Sequence, residues 1–309
     1  MIGEEAEITD SPARPLPSGA PRRGFSAFGR DAACGLAGSR PAAPAFPPRP
    51  EPWPKVSVVI PTLNEARNLP HVFAELPPGL HEVIIVDGNS VDDTVATARA
   101  LRPDVRIITQ NRKGKGNALA CGFAAATGDI IAMVDADGSA DPAEIPQFVK
   151  ALLDGADFAK GTRFARGGGS CDITRLRRLG NRLLSGLVNI LCRTHYSDLC
   201  YGYNAFWRRH VPVFGLQADS DVPHGDGTRL WGDGFEVETL INIRIAQAGL
   251  NVTEVASYEH SRIHGVSNLN ATSDGWRVLR TILAERYYHH QRQKAQRRQS
   301  VLSSPGQEA

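Results

Sequence analysis

The sequence predicts an α/β fold in which a mostly parallel, Rossmann-like sheet is flanked by helices. Short apolar runs rich in Val and Ile alternate with stretches of helical periodicity, and each apolar run ends in a polar turn. Strands that alternate with helices form largely parallel sheets, which bind ligands where loops leave the carboxyl ends of the strands. The four predicted strands span 56–60, 82–86, 105–109 and 130–134.

The first two predicted strands end in turns that lead into helices. The first strand runs into Pro61, and Asn64 and Glu65 follow as a turn and a helix start. The second ends at Asp87, and Asp92 opens the next helix. Because Asp is common in turns and at helix N-caps, Asp87 is either a ligand-binding carboxylate or the cap of a turn.

The third predicted strand is followed by alternating lysines and glycines. Lys113 and Lys115 lie beside Gly114 and Gly116, directly before a helical stretch over 118–126. Exposed N–H groups at a helix N-terminus bind anions, and nearby lysines add positive charge. The segment is therefore either an anion-binding turn or a solvated one.

The fourth predicted strand ends in two carboxylates. Asp135 and Asp137 are separated by one residue, so both can turn toward the same side once the chain leaves the extended conformation. Carboxylates are hard oxygen ligands that suit Mg²⁺ or Mn²⁺. The alternative is a solvated turn or a cap, since Asp141 and Pro142 just downstream form a good helix start.

Together these motifs resemble family 2 of the inverting glycosyltransferases, which have the A-type glycosyltransferase fold. The matching segments are 58–65, 85–94, 114–119 and 134–137. Three downstream segments, 160–164, 198–206 and 258–267, are similar to the dolichyl-phosphate mannose synthase branch, whose members pass a sugar to a polyprenyl phosphate. The resemblance covers roughly residues 55–283.

The resemblance implies a function for each matching residue. The nucleotide-sugar site would contain Pro61, Asn64, Glu65, Asp87, Lys115, Gly116, Asp135, Ala136 and Asp137. The divalent metal, Mg²⁺ or Mn²⁺, would be held by Asp135, Asp137 and Ser139. The acceptor would contact Arg163, Asp198 and Ser267. Catalysis would involve Asp233, Glu236 and Arg262.

The chain departs from the family pattern at three positions. Ser139, a weaker neutral ligand, stands where the branch often has Gln as a further metal ligand. Gly88 replaces a second acidic residue after Asp87. Asn268 replaces a Lys, so one expected positive charge near the phosphates is missing.

Several assigned side chains also have an ordinary structural interpretation. Arg163 and Arg262 are either surface ion-pair partners or phosphate ligands, and Arg suits bidentate contact with phosphate. Asp233 and Glu236 either cap a helix or orient the acceptor and take its proton.

The chain of 309 residues, with 41% hydrophobic content and a net charge of +2, can bury one sizeable core. Residues 1–54 are rich in Pro, Gly, Ala and Arg, which predicts a disordered tail before a glycosyltransferase domain over 55–285. Residues 286–309 form a basic tail that is predicted to be disordered or to bind anionic lipid.

No secretory signal, transmembrane span or nucleic-acid-binding motif is recognisable in the sequence. The sequence therefore predicts a cytoplasmic protein, peripheral at most on the inner membrane face. A basic amphipathic helix is predicted from leucines and isoleucines at helical spacing between five arginines at 175, 177, 178, 182 and 193. It is either a membrane-surface element or a helix packed on the sheet or in a dimer.

The predicted reaction is transfer of a hexose from a GDP- or UDP-linked sugar, with a divalent metal, to a polyprenyl phosphate. A phosphate acceptor needs no strong base near pH 7, whereas a hydroxyl acceptor on a soluble molecule or glycan would need Asp233 or Glu236. Two further classes are a sugar nucleotidyltransferase and an inactive binding relative. The first strand lacks the glycine-rich phosphate loop of the former, and Asp135 and Asp137 are both retained, unlike in the latter.

Overall fold

The structure is a computed structural model that describes residues 53–218, 230–265 and 271–302. The strands in these ranges are β1 Val56–Thr62, β2 Glu82–Asp87, β3 Arg106–Thr109, β4 Ile130–Met133, β5 Phe158–Thr162, β6 Gly169–Ser170, β7 Asn204–Trp207, β8 Val252–Ala256 and β9 Tyr258–Glu259. The helices are α1 Leu69–Ala74, α2 Thr94–Leu101, α3 Lys115–Ala125, α4 Ile145–Leu153, α5 Arg175–Cys192, α6 Val211–Phe214, α7 Val237–Gln247 and α8 Ala271–Leu302.

Seven of these strands form one sheet with the order β3-β2-β1-β4-β7-β5-β8. All neighbours are parallel except β7, which is antiparallel to both β4 and β5. Strands β6 and β9 form a small second pair. This architecture confirms the predicted α/β fold, and the four predicted strands all belong to this sheet.

The sheet is buried on both faces, which explains why its strands read as continuous apolar runs. Successive side chains of a strand point to opposite faces. Val58 of β1 packs in a cluster with Phe148 of α4, whereas Val59 packs with Leu119 of α3 on the other face. Helices on both sides therefore hold the sheet rigid beneath its loops.

The carboxyl ends of β1, β2, β3 and β4 lie along one edge of the sheet. Thr62 pairs with Asp87, and Asp87 pairs with Thr109, so the first three strands end in register. Val59 pairs with Met133 at the end of β4. The loops that follow these strands are thus brought side by side.

Helix α5 matches the predicted amphipathic helix and packs with α7 and α8 in a third apolar cluster. Val188 of α5 is buried there with Ile243 of α7 and Ile282 of α8. The opposite side of α5 stays exposed, and Leu179 and Leu183 lie on it. The helix therefore packs against the domain through one side and leaves apolar residues uncovered on the other.

Helix α8 extends into the predicted C-terminal tail. It continues past residue 285 to Leu302, within the segment 286–309 that is predicted to be disordered or to bind anionic lipid. The tail composition is polar, but Arg, Lys, Gln and Ala are good helix formers, and Pro305 is the first proline after the helix start. Trp53 already packs against the core, and residues 1–52 lie outside the described residues. None of the described helices is long and apolar enough to cross a bilayer.

Candidate active site

The loops at the carboxyl edge of the sheet surround a cavity of about 930 Å³. This volume falls in the range of small-molecule sites. Ten residues that the sequence analysis assigns to the site line it: Pro61, Glu65, Lys115, Asp135, Ala136, Asp137, Ser139, Arg163, Glu236 and Arg262. A second cavity of about 690 Å³ lies beside Asp129 and Trp207, at the amino end of β4 and away from this edge.

Asp135 and Asp137 follow the end of β4 and line the cavity, where each forms an ion pair with a basic side chain. The Lys115 ammonium lies 2.7 Å from an Asp135 carboxylate oxygen. The Arg262 guanidinium lies 2.8 Å from Asp137. Asp137 also accepts a hydrogen bond from the Ser139 N–H at 2.9 Å, across a turn in which Gly138 has φ +75°. Both carboxylates are thus oriented by side chains from distant parts of the chain.

Lys115 contacts a second carboxylate as well. Its ammonium lies 2.6 Å from Glu238 of α7, and all three side chains line the cavity. Burial opposes the positive charge, but Asp135 and Glu238 outweigh burial and raise the pKa of Lys115 above its ordinary value. Lys115 is therefore charged near neutral pH.

Arg262 likewise bridges two acids. Besides Asp137, it lies 3.6 Å from Glu65, which itself accepts a hydrogen bond from Asn68 at 2.5 Å. Burial raises the pKa of Glu65, against the effects of Asn68 and Arg262. The cavity wall thus contains two ion-pair clusters, each with one basic and two acidic side chains.

The side chains in the cavity suit a divalent cation whose remaining ligands are phosphate and water. Asp135 and Asp137 supply two carboxylates, and Ser139 lies beside them in the cavity lining. In the described ranges no group of three or more His, Cys, Asp or Glu side chains could hold a metal. One or two carboxylates completed by phosphate and water is the usual way proteins bind Mg²⁺.

Two residues assigned to the nucleotide site lie outside the cavity lining. Asp87 is buried and accepts a hydrogen bond from the Ser90 N–H at 3.2 Å. Asn64 has φ +58° and joins this turn, because its side-chain oxygen accepts from the Val91 N–H at 2.8 Å. These contacts correspond to the turn-capping interpretation, and they join the loops that follow β1 and β2.

Gly116 also lies outside the lining and makes a close backbone contact at the start of α3. Its N–H donates to the Asp233 carbonyl at 2.8 Å. A Cβ at position 116 would lie 1.7 Å from the Gly232 carbonyl oxygen, and one at Gly114 would lie 2.0 Å from the Asp233 carbonyl oxygen. The two glycines therefore let the 232–233 segment pack against α3, which positions Lys115.

We expect Gly116→Ala to destabilise the protein by about 3 kcal/mol, the upper end of the range for overpacking, because the contact is with backbone. Gly186→Ala, in α5, is the matched control. A Cβ there meets nothing within 4 Å. The control should stabilise the protein slightly, by about 0.5–1 kcal/mol. Chemical denaturation of both variants measures the difference, and equal stability of Gly116→Ala and the parent would contradict the packing.

Asp233 makes an internal ion pair instead of facing the cavity. Arg112 donates to its carboxylate at 2.8 and 3.0 Å, and the Leu230 N–H donates at 2.8 Å. Both side chains are almost fully buried. These contacts favour a structural role for Asp233, whereas Glu236 lines the cavity and accepts a hydrogen bond from the Gly234 N–H at 3.2 Å.

Arg163 is held by two carboxylates. It donates to Asp198 at 2.7 and 2.9 Å and to Glu259 at 3.0 and 3.1 Å. Burial works against the guanidinium charge, but Asp198 and Glu259 outweigh it and raise the pKa of Arg163. Asp198 is fully buried and lies outside the lining. A phosphate at Arg163 would have to share this guanidinium with both acids.

The cavity continues from Asp135 and Asp137 into a groove between α5 and α8. Ile173, Leu176, Leu184 and Val278 give this part an apolar lining. Two basic side chains, Arg177 and Arg277, line it as well, each paired with an acid of its own segment. Ser267, the third residue assigned to the acceptor, lies outside the described residues.

Three features of the site are not predicted from the sequence: Glu238, Glu259 and the groove. Glu238 belongs to the same acidic segment as Glu236, but only the fold shows that Lys115 lies against it. Glu259 follows β8 by three residues and reaches Arg163 across 96 positions of sequence. No local pattern in the sequence signals either contact.

Comparisons with known proteins support the same fold and family. The described fold is similar to a crystal structure of glucosyl-3-phosphoglycerate synthase from Mycobacterium tuberculosis in complex with Mn²⁺, UDP-glucose and phosphoglyceric acid. The TM-score is 0.56 at 26% identity, over 75% of this chain and 80% of that one. The protein thus has the A-type glycosyltransferase fold. Residues 57–212 match glycosyl transferase family 2, and the chain belongs to this family.

Two curated relatives are similar over part of their length. An uncharacterized glycosyltransferase from Mycobacterium tuberculosis is 43% identical over 108 residues, which cover 35% of this chain and 48% of the relative. The dolichol-phosphate mannosyltransferase of Pyrococcus furiosus is 37% identical over 121 residues, which cover 37% of this chain and 34% of that protein. The matches thus span half or less of these relatives.

Proposed function

We propose that this protein is a metal-dependent inverting glycosyltransferase that moves a hexose from a UDP- or GDP-linked sugar to a polyprenyl phosphate. The lining of the cavity is the observation that supports this choice of acceptor. Its polar half holds Asp135 and Asp137, and its other half is the groove between α5 and α8, in which apolar side chains lie among ion-paired arginines. A sugar nucleotide has no use for an apolar groove, whereas an acceptor with a hydrocarbon chain and a phosphate does.

The names of the similar proteins support both substrates. One solved neighbour was crystallised with Mn²⁺ and UDP-glucose, and one relative is a dolichol-phosphate mannosyltransferase. Asp135 and Asp137 would hold Mg²⁺ or Mn²⁺. A bound divalent ion supplies positive charge to the departing diphosphate. Lys115 and Arg262 lie beside these carboxylates, so they are placed to contact the same phosphates.

The reaction is a single displacement at the anomeric carbon. The acceptor oxygen forms the new bond from the face opposite the nucleotide, and the bond to the diphosphate breaks. A phosphate oxygen is already anionic near pH 7 and needs no base. If the acceptor were a hydroxyl of a soluble molecule or glycan, Glu236 would be the proton acceptor, because Asp233 is held by Arg112.

The same acceptor would bring the protein to a membrane surface. Leu179, Leu183 and Ile190 are exposed on α5, and the helix contains four arginines and no acidic residue. Exposed apolar side chains among arginines suit an anionic lipid surface. Peripheral association of this kind would place the groove next to the lipid that carries the acceptor phosphate.

A transfer assay with the full chain tests the function. Purified protein is incubated with Mn²⁺, labelled UDP-glucose or GDP-mannose, and detergent-dispersed polyprenyl phosphate. We expect label in the organic phase and release of nucleoside diphosphate. Label confined to water-soluble products would refute the lipid acceptor, and release of pyrophosphate instead would refute glycosyl transfer.

The groove is tested by Leu176→Ser, which removes an apolar side chain from its wall. Leu176 is exposed, and the proposed lipid would cover it. Loss of this contact should raise the KM for polyprenyl phosphate about tenfold, since an apolar group covered on binding contributes about 1–3 kcal/mol. Slow hydrolysis of the donor should not change. Leu179→Ser is the matched control, because both leucines are exposed on the same helix and Leu179 does not line the cavity. Equal KM values for both variants in detergent would contradict the groove assignment.

A further inference from the structure

The two carboxylates of the candidate metal site are neutralised by the protein itself in the described structure. Lys115 lies 2.7 Å from Asp135, and Arg262 lies 2.8 Å from Asp137. A divalent ion that enters this site alone therefore meets two cations already in place. Its binding requires that both ion pairs break or rearrange, and like charges at short range repel it.

Both cations are also held close by a second acid. Glu238 lies 2.6 Å from Lys115, and Glu65 lies 3.6 Å from Arg262. Lys115 and Glu238 are largely buried, so neither can turn fully into solvent. When Asp135 and Asp137 bind the metal, Lys115 and Arg262 remain beside it. Each of them then has one carboxylate partner in place of two. A diphosphate in the same cavity supplies the missing negative charge.

We propose that Lys115 and Arg262 are exchangeable cations, which hold Asp135 and Asp137 in the free protein and move to the donor diphosphate when the metal binds. This inference rests on the proposed function, because it takes a diphosphate as the ligand. Its consequence is coupled binding. The metal binds weakly by itself, and bound diphosphate raises the affinity for the metal. By thermodynamic reciprocity, bound metal raises the affinity for the diphosphate by the same factor.

The proposal predicts effects of opposite sign from one substitution. Lys115→Met removes a competing cation, so it should tighten the binding of Mn²⁺ alone by about tenfold. The same variant should weaken UDP and GDP binding, because a phosphate partner is lost. If Lys115 were a phosphate ligand only, the affinity for Mn²⁺ alone would stay the same. The two possibilities therefore differ in a measurement that needs no turnover.

Free Mn²⁺ measured by electron paramagnetic resonance gives the binding constants. Titrations are made with the parent and Lys115→Met, each without nucleotide and with UDP or GDP, after correction for the Mn²⁺ that the nucleotides bind in solution. We expect the nucleotide to tighten Mn²⁺ binding to the parent by about 5- to 150-fold, and to do so less in the variant. Lys113→Met is the control. Lys113 lines the same cavity and has no ion pair among the described residues, so the affinity for Mn²⁺ measured without nucleotide should change less than about twofold.

Two further variants test the same proposal in case Lys115→Met does not fold. Lys115→Met combined with Glu238→Gln removes both largely buried charges, so Asp135 is the one member of this cluster that stays charged. Arg262→Met changes the more exposed partner. Each should again tighten Mn²⁺ alone. Unchanged or weaker Mn²⁺ binding in folded variants would overturn the cation exchange and leave the glycosyltransferase proposal intact. Failure of the parent to bind Mn²⁺ even with UDP or GDP would overturn both.

Discussion

Replacing Asp137 by asparagine is expected to lower the rate of sugar transfer by about a thousandfold or more. The substitution keeps the shape of the side chain but removes one of the two carboxylates available to the metal. Metal ions contribute several kcal/mol of charge stabilisation, and each 1.4 kcal/mol is about a factor of ten in rate. Asp137 also pairs with Arg262, so the variant removes one of the two acids that hold that arginine.

The measurement is turnover with saturating donor across a series of Mn²⁺ concentrations, together with thermal unfolding. Asp104→Asn is a control for the loss of a negative charge, because Asp104 is exposed and pairs with Arg102 outside the cavity lining. The control should keep nearly the full rate. Metal-dependent turnover of Asp137→Asn close to that of the parent would mean that other groups hold the metal.

Replacing Arg163 by alanine is expected to destabilise the fold by about 3–5 kcal/mol. The fully buried Asp198 would lose the guanidinium that donates to it at 2.7 and 2.9 Å. Burial would raise the pKa of Asp198, but the hydrogen bonds from Arg163 outweigh burial and keep that pKa below its ordinary value. Without Arg163 the carboxylate either stays charged with only the buried Lys160 as a nearby cation or must take up a proton.

Urea denaturation is used to compare the free energies of unfolding of Arg163→Ala, Arg177→Ala and the parent. Arg177 forms an exposed pair with Asp172, so its loss should cost about 0–1 kcal/mol. Combining Arg163→Met with Asp198→Asn removes both charges, so this double variant should recover part of the stability. An Arg163→Ala protein as stable as the parent, with only a higher KM for the acceptor, would contradict the structural role and favour acceptor binding by Arg163.

Much of the fold could be predicted because its signals are local in sequence. The apolar runs that become β1, β2, β3 and β4 are recognisable without any partner, since a strand buried on both faces is apolar throughout. The helix of residues 175–192 is recognisable from its period. Pairing in the remainder of the sheet is not local. Strand β7 lies antiparallel between β4 and β5, far from both in sequence, and nothing in its four residues indicates this position.

The order of strands and helices along the chain is enough to predict that Asp135 and Asp137 follow a buried strand and meet the other loops at one edge of the sheet. Which basic side chain contacts each acid depends on the folded structure. Lys115 lies between Asp135 and Glu238, and Arg112 holds Asp233 across 121 positions of sequence. The energy of an ion pair depends on distance and burial, which exist only after the chain has folded.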